Sequence, residues 1–358
     1  MLQNAEDNVS CLAKMHLKRF YFLLLLMLLT WPVFAQVDSI RIAGMMRTNN
    51  IPGLGVAFID NGRVVEEKVF GELRNGVPAP ADAVFNVASI TKTITTMVTL
   101  QLVGSGQWDL DAPVARYWTD PEVKDDPRSK RLTTRHILTH RSGFPNWRRM
   151  VPDKKLAFQF EPGDHFQYSG EGMEYLRRAL EGKFHRSLQQ LADSLIFRPL
   201  GMTSSSLVWN EAFANRFAVP HNDRGEALAI NKNSVPSAAD LFKTTTSDYC
   251  KFLVWVMNGA GLSDSLYHQM TSPLAKIKAD KYMGLGWANY PDLPGGQYGL
   301  SHSGVDPGVQ TLTVLLPKMK RALIIFTNSD NGWMLYNELA KDYLGGQGAA
   351  IGDIEMKN

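Results

Sequence analysis

Strand-like segments occupy the two ends of this 358-residue chain, and helix-like segments fill the middle. Residues 53–59, which are mostly apolar, and residues 63–70, which include three valines and Phe70, lie on either side of Asn61-Gly62, a pair typical of a tight β-hairpin. Further strands are predicted at 284–290, 309–316 and 321–328. The simplest assembly closes both ends into one antiparallel sheet, which predicts an α+β fold with a mostly helical middle lobe.

The helical segments lie mainly in that middle region. Residues 89–103 are rich in threonine, isoleucine and valine, which favour strands, but their apolar positions recur with helical spacing and Gly104 follows them. Further helices are predicted at 171–181, 188–197, 247–257 and 332–344. We therefore expect one domain over residues 36–350 with two lobes, 36–88 with 276–350 and 89–275, and a ligand site at their junction.

The first 35 residues have the pattern of a signal peptide. Lys14, Lys18 and Arg19 precede the apolar run 20–29, and Ala35 ends a small-residue cleavage site. The alternative is an uncleaved membrane anchor, but the run is shorter than the roughly 20 residues that span a bilayer. The pattern predicts a periplasmic or secreted protein with no stable membrane span after cleavage, translated from Met1 or Met15.

Composition argues against several classes of partner. The net charge is +3 and no long basic run accompanies it, so nucleic acid is not indicated. Of the two cysteines, Cys11 would leave with the signal, and Cys250 lies in a helical pattern that predicts a buried thiol without a disulfide partner. His136 and His140 are four residues apart without an evident third ligand, and no phosphate-binding glycine loop is present. We therefore expect neither a metal nor another cofactor.

The chemistry-bearing motif is Ser89-Ile-Thr-Lys92, at the junction of an extended segment and a helix. Three residues are nearly one helical turn, so both side chains would lie on one face. An unprotonated amine can accept the proton of a serine hydroxyl and activate it as a nucleophile. Backbone N–H groups at the start of a helix can stabilise developing negative charge.

Two further segments carry candidate site residues. Tyr168 ends an extended stretch bounded by proline and glycine and precedes a helix, where a phenol could reach a cleft as a general base. His302-Ser303-Gly304 precedes the predicted strand 309–316, and such a glycine lets a substrate backbone lie along the strand edge. In isolation, each of these segments is more often structural.

Together these segments resemble the penicillin-binding, serine-active-site hydrolases, which include class C β-lactamases, D,D-peptidases, D-aminopeptidases and related esterases. The resemblance covers nearly the whole chain after residue 35, and its motifs occur in the family's order. They are Phe85-Asn-Val-Ala-Ser-Ile-Thr-Lys92, Leu110-Asp-Ala-Pro-Val114, Ile137-Leu-Thr-His-Arg-Ser-Gly143, Glu161-Pro-Gly with Tyr168-Ser169, Arg198-Pro-Leu-Gly-Met-Thr203, Gly284-Leu-Gly-Trp287 and His302-Ser-Gly304.

The resemblance implies a role for each matching residue. Ser89 would be the acylated nucleophile, Lys92 its proton partner and Tyr168 the group that relays the proton and later activates water. The segment His302, Ser303 and Gly304 would bind substrate. The backbone N–H groups of Ser89 and Val305 would form the oxyanion hole.

The chain departs from the family pattern at two positions. The second motif is usually Tyr-x-Asn, but Gly170 stands in place of the asparagine. The third motif has His302 where many lactamases have lysine, and a neutral histidine would hold a substrate carboxylate less firmly. Both departures weaken the case for an efficient β-lactamase and leave the acylation machinery intact.

Three functions follow as hypotheses. The first is an exported serine hydrolase that forms an acyl-enzyme on Ser89 with an ester or amide, possibly a D-amino-acid peptide. The alternative within the same class is a true class C-type β-lactamase. The alternative of another class is an inactive homologue that binds cell-wall peptide or a partner protein, for which the missing asparagine is the only support. The sequence leaves the substrate and the oligomeric state open.

Overall fold

A computed structural model describes residues 39–357, so the predicted signal segment lies outside the described residues. The strands are β1 (Gly53–Asp60), β2 (Arg63–Arg74), β3 (Val77–Pro78), β4 (Phe85–Asn86), β5 (Lys243–Thr244), β6 (Ala275–Lys278), β7 (Lys281–Met283), β8 (Ala288–Leu293), β9 (Gln297–Asp306), β10 (Val309–Leu316) and β11 (Arg321–Thr327). The α-helices are α1 (Ser39–Thr48), α2 (Thr91–Gly104), α3 (Thr134–Leu138), α4 (Gly170–Phe184), α5 (Leu188–Ala192), α6 (Thr246–Met257), α7 (Asp264–Thr271), α8 (Tyr336–Leu344) and α9 (Gly346–Met356).

Strands from both ends of the chain form one sheet, which confirms the predicted α+β fold. Its order is β3-β2-β1-β11-β10-β9-β8-β7-β6, and every neighbouring pair is antiparallel. Strand β1 joins the two halves by pairing with β11, with Leu54 opposite Thr327. The hairpin turn lies at Asn61-Gly62, where both residues have positive φ as the sequence pattern requires.

Helices cover both faces of this sheet. All eight residues of β1 are buried, as expected for a strand that is covered on both sides. Phe58 packs against Tyr343 of α8, with ring centroids 5.4 Å apart. The opposite face, at Gly55, lies against Thr246 of α6 and Phe85.

Helix α2 runs through the interior and carries the Ser-x-x-Lys motif at its start. Eleven of its fourteen residues are buried, which is the pattern of a core helix. Its threonines are accommodated because their hydroxyls donate to carbonyls of the preceding turn, Thr93 to Ile90 at 2.8 Å and Thr99 to Thr95 at 2.8 Å. The helical spacing therefore prevailed over the strand propensity of this segment, as predicted.

Three sequence predictions about secondary structure were wrong. Residues 284–290 are not one strand, because Gly286 adopts φ +72° and packs so closely on Thr96 of α2 that β8 begins only at Ala288. His302-Ser303-Gly304 lies inside β9 rather than before a strand. Residues 71–82 are not all loop, since β2 extends to Arg74 and β3 follows it.

One helix near the end of the described chain was not predicted. Helix α9 (Gly346–Met356) was missed because its glycine-rich sequence has low helix propensity. It is stabilised by burial of Ile351 and Ile354.

Candidate active site

Ser89 lies in a strained turn between β4 and α2. It is the middle residue of a short 3₁₀ turn, Ala88–Ile90, and Ala88 has φ +46°. A non-glycine residue in this region costs about 1–2 kcal/mol. The turn is held by hydrogen bonds: the N–H of Ala88 donates to Oδ1 of Asn86 at 3.1 Å, and Oγ1 of Thr91 donates to the Ala88 carbonyl at 2.5 Å. Such maintained strain is typical of functional sites.

Lys92 lies one helical turn after Ser89 and reaches it, as the spacing predicts. Its Nζ is 2.9 Å from Oγ of Ser89 and donates at 2.6 Å to the carbonyl of Ala239. Only 1% of the lysine is exposed. The carbonyl therefore fixes the amine within hydrogen-bond reach of the hydroxyl, the distance that proton transfer between them requires.

Tyr168 lies beside this pair, held by His140. Nζ of Lys92 is 4.8 Å from the centre of the Tyr168 ring, and the His140 ring packs on Tyr168 with centroids 4.3 Å apart. The N–H of Ser169 donates to Nδ1 of His140 at 3.1 Å. Burial, and then the charges of Lys92 and His302, hold the pKa of His140 well below its usual value. His140 is therefore a neutral positioning residue for Tyr168.

His302 is a neutral hydrogen-bonding group in this site. Its Nδ1 lies 2.8 Å from the carbonyl of Ser303, so the ring donates its proton there and Nε2 is left as an acceptor. Burial, and then the nearby Lys92, lower the pKa of His302 to about 3. Since the ring stays uncharged near neutral pH, it cannot hold a substrate carboxylate by charge.

Gly304 lets strand β9 pass directly behind the turn that carries Ser89. A Cβ atom at this position would lie closer than 3.0 Å to Oγ1 of Thr311 and to the carbonyl of Val87, which real Cβ atoms essentially never do. Oγ1 of Thr311 also donates to that carbonyl at 2.9 Å. The glycine is therefore required for close packing between β9, β10 and the turn that carries Ser89.

The space beside Gly170 is filled by Trp147, which the sequence did not indicate. A Cβ atom at Gly170 would lie 2.6 Å from Cζ2 of the indole. The neighbouring Asn146 accepts a hydrogen bond from the Gly170 N–H through Oδ1 at 3.0 Å and lines the same cavity as Ser89. Asn146, from a different segment, therefore places an amide next to Gly170, the position where the second motif usually has asparagine.

Restoring the family asparagine with Gly170→Asn is expected to damage the site. Overpacking against Trp147 should lower the free energy of unfolding by about 1–3 kcal/mol and reduce hydrolysis. Denaturant titration and ester turnover measure both effects, and Trp147→Ala in the Gly170→Asn background should recover part of the stability. A gain of activity at unchanged stability would contradict this explanation of the glycine.

The predicted site residues meet at one cavity of about 320 Å³. Lys92 contacts Ser89, and Gly304 packs behind the turn. The cavity is lined by Ser89, Asn146, Trp147, Phe166, Tyr168, Asp240, Ile277, Lys281, Met283, Ala288, Ser301, His302, Ser303, Val305 and Asp306. Sequence reasoning missed Asn146, Trp147, Asp240 and Asp306, since none belongs to a motif that signals a cleft.

The model of the Beta-lactamase family matches residues 41–342. The chain belongs to the beta-lactamase family. Among its curated relatives, Protein flp of Staphylococcus aureus strain MRSA252 is 21% identical over 84% of this chain and 64% of its own length. Esterase EstB of Burkholderia gladioli is 29% identical over 50% of this chain and 52% of the esterase.

Two solved structures share the fold of this beta-lactamase family member. The octameric penicillin-binding protein homologue from Pyrococcus abyssi superposes with a TM-score of 0.70 at 21% identity, covering 86% of this chain and 78% of that one. D-alanine carboxypeptidase AmpC from Burkholderia cenocepacia gives 0.71 at 18% identity, covering 86% and 97%. At these identities, both structural similarities show that the fold is shared. The curated relatives are longer, since the alignments span about 64% or less of their length.

Two kinds of feature are absent from the described residues. Within 39–357, no helix has both the length and the apolar character needed to cross a membrane. The same part of the chain contains no group of three or more histidine, cysteine or acidic side chains that could hold a metal ion. Cys250 is buried and free, and burial raises the pKa of its thiol.

Proposed function

We propose that this protein is an exported serine hydrolase that forms an acyl-enzyme on Ser89 with an ester or amide substrate. The observation that carries the proposal is the 2.9 Å contact between Nζ of Lys92 and Oγ of Ser89 at the edge of a cavity. Membership of a family that includes esterases and peptidases supports the reaction class. Export rests on the signal pattern of residues 1–35 alone.

Acylation begins when Oγ of Ser89 attacks the substrate carbonyl carbon and Lys92 accepts the hydroxyl proton. The carbonyl oxygen becomes an oxyanion, and the backbone N–H groups of Ser89 and Val305 are proposed to stabilise it, a contribution of about 3–4 kcal/mol per donor in serine hydrolases. Collapse of the intermediate breaks the bond to the leaving group. That group takes the proton through Lys92 and Tyr168.

Deacylation repeats these steps with water as the nucleophile. Tyr168 and Lys92 take the proton of the attacking water, and Oγ of Ser89 regains a proton as the acid product leaves. His140 holds the Tyr168 ring in place, and the Ala239 carbonyl holds the amine. Each of these groups is fixed by packing before substrate binds, which is how a preorganised site lowers the barrier.

Two observations argue against the β-lactamase alternative. Gly170 and Trp147 replace the second-motif asparagine, and His302 is an uncharged acceptor where a lysine would bind a carboxylate. The contact between Lys92 and Ser89 argues against the alternative of an inactive homologue, which would not need it. A relative named as an esterase supports testing esters first.

The test is a hydrolysis panel of p-nitrophenyl esters, D-alanyl peptides and β-lactams, run on the wild type and on Ser89→Ala. We expect turnover of an ester or D-alanyl peptide, with a loss of at least about 10³-fold in the variant. Equal turnover by both proteins would refute catalysis at Ser89. Fast cephalosporin turnover would instead support the β-lactamase alternative.

A further inference from the structure

Asn86 joins the two segments that carry the proposed oxyanion-hole donors. Its Oδ1 accepts a hydrogen bond from the N–H of Ala88 at 3.1 Å, and its Nδ2 donates to Oδ2 of Asp306 at 3.0 Å. Ala88 directly precedes Ser89 in the chain, and Asp306 directly follows Val305. One side chain therefore connects the neighbours of both donors.

The amide of Asn86 has only one possible orientation between these partners. A backbone N–H can only donate and an ionised carboxylate can only accept, so Oδ1 faces Ala88 and Nδ2 faces Asp306. Asn86 is 9% exposed, and the strand that carries it, β4, pairs with β5. Asp306 is held in turn by its pairing with Val309 of β10. The bridge thus links two segments that are each fixed by strand pairing.

The bridge adds a directional contact to the close packing between the same segments. Gly304 already brings β9 against the turn at the Val87 carbonyl. Packing of this kind sets how closely two backbones approach, but it does not fix their displacement along each other. The hydrogen bond between Asn86 and Asp306 lies two residues further along β9 and restrains that displacement, because hydrogen bonds weaken steeply when they are misaligned.

The carboxylate of Asp306 is surrounded by charges of both signs. The charged groups that face it are Lys92 of α2, Arg149, Asp240 and Lys243 of β5. Burial, and then the charge of Asp240, raise the pKa of Asp306 to about 6, and the hydrogen bond from Asn86 and the nearby cations oppose this rise. Asp306 is therefore ionised at neutral pH, where its bond from Asn86 is charge-assisted and stronger than a neutral one.

We propose that Asn86 and Asp306 are positioning residues whose hydrogen bond fixes the separation between the backbone N–H groups of Ser89 and Val305. This inference rests on the proposed function and deepens it by naming what holds the oxyanion hole together. Two donors stabilise an oxyanion fully only when both point at the same oxygen. A shift of one segment therefore weakens binding of the transition state more than binding of the ester.

A boronic acid tests the oxyanion hole separately from the amount of folded enzyme. Phenylboronic acid bonds to a nucleophilic serine as a tetrahedral anion that resembles the transition state, and its inhibition constant reports only on functional sites. Asn86→Leu removes both hydrogen bonds. We expect its kcat/KM on a p-nitrophenyl ester, per titrated active site, to fall at least about tenfold and the inhibition constant to rise by a similar factor.

An exchange of the two side chains tests the hydrogen bond itself. Asn86→Asp keeps an acceptor for the Ala88 N–H but sets two carboxylates face to face, so it should lose at least about tenfold in kcat/KM. Adding Asp306→Asn reverses donor and acceptor and should restore both constants to within about threefold of the wild type. Asn75→Asp, in an exposed turn outside both cavities, is the matched control and should change neither constant.

The pH dependence gives a second readout. Asp306→Asn alone keeps a neutral acceptor, so its loss should be small, about two- to fivefold at pH 7. Since Asp306 is protonated below about pH 6 and charged above it, the ratio of wild-type to Asp306→Asn kcat/KM should rise as the pH increases through 6. A ratio that stays constant across this range would contradict the charge-assisted bridge.

Three outcomes decide between these explanations. An unchanged boronate inhibition constant in Asn86→Leu, or an exchanged pair no better than Asn86→Asp alone, overturns the bridge as the device that sets the oxyanion hole. If Asn86→Leu does not fold, the comparison of Asn86→Asp with the exchanged pair is sufficient. Absence of Ser89-dependent turnover in the wild type overturns the proposed function instead.

Discussion

Replacing Lys92 with methionine is expected to reduce acylation of Ser89 by at least about 10³-fold, since general-base assistance contributes about 10²–10⁴-fold in enzymes. Methionine fills much of the buried volume but cannot accept the serine proton. It also leaves the Ala239 carbonyl without the 2.6 Å hydrogen bond that Lys92 donates. The rate is measured as the burst or turnover of a p-nitrophenyl ester, together with the melting temperature.

A second variant separates the role of Lys92 as a proton acceptor from the effect of its positive charge. Lys92→Arg keeps a cation near Ser89, but a guanidinium does not give up its proton in proteins, so it should be nearly as inactive as Lys92→Met. Lys124→Met, an exposed lysine on another part of the chain, is the matched control and should keep full activity. An arginine variant with more than a tenth of the wild-type rate would show that charge alone is sufficient.

The second large effect is expected at Gly304. Gly304→Ala forces a Cβ atom into Oγ1 of Thr311 and the Val87 carbonyl, so β9 and the Ser89 turn must move apart. A displacement of about 1 Å at reacting groups can cost about 10²-fold in rate. We expect kcat/KM to fall by that order and the melting temperature to drop by several degrees.

Gly346→Ala is the matched control for this substitution. A Cβ atom there meets nothing within 4 Å, and the residue opens helix α9, where alanine is the better helix former. Its activity and melting temperature should equal or exceed those of the wild type. Equal activity of Gly304→Ala and the wild type would show that the close approach is not needed for catalysis.

The features that sequence predicted are those set by local spacing. The Asn61-Gly62 hairpin follows from a two-residue turn, and the Lys92–Ser89 contact follows from one turn of helix. The sheet from both chain ends was also predictable, because β1 is apolar and β10 and β11 are rich in apolar and β-branched residues. These elements specify the main sheet and the contact between Ser89 and Lys92 without information from distant segments.

The features that sequence missed depend on contacts between distant segments. Trp147 explains Gly170 only because the indole lies against the start of α4, and Asp240 lines the cleft from a loop distant in sequence from Ser89. His140 was not predicted as a site residue, because its contact with Tyr168 has no sequence signature. Strand β9 was missed because its residues near the cleft are polar or small, which removes the apolar signal of a strand.

The most direct test of the central claim is the mass of the protein after treatment with a fluorophosphonate, followed by peptide mapping. We expect one adduct on Ser89, absent from Ser89→Ala and strongly slowed in Lys92→Met, because an amine 2.9 Å from the hydroxyl is placed to accept its proton. No adduct, or one on another serine that persists in Ser89→Ala, would contradict the assignment of Ser89 as the nucleophile.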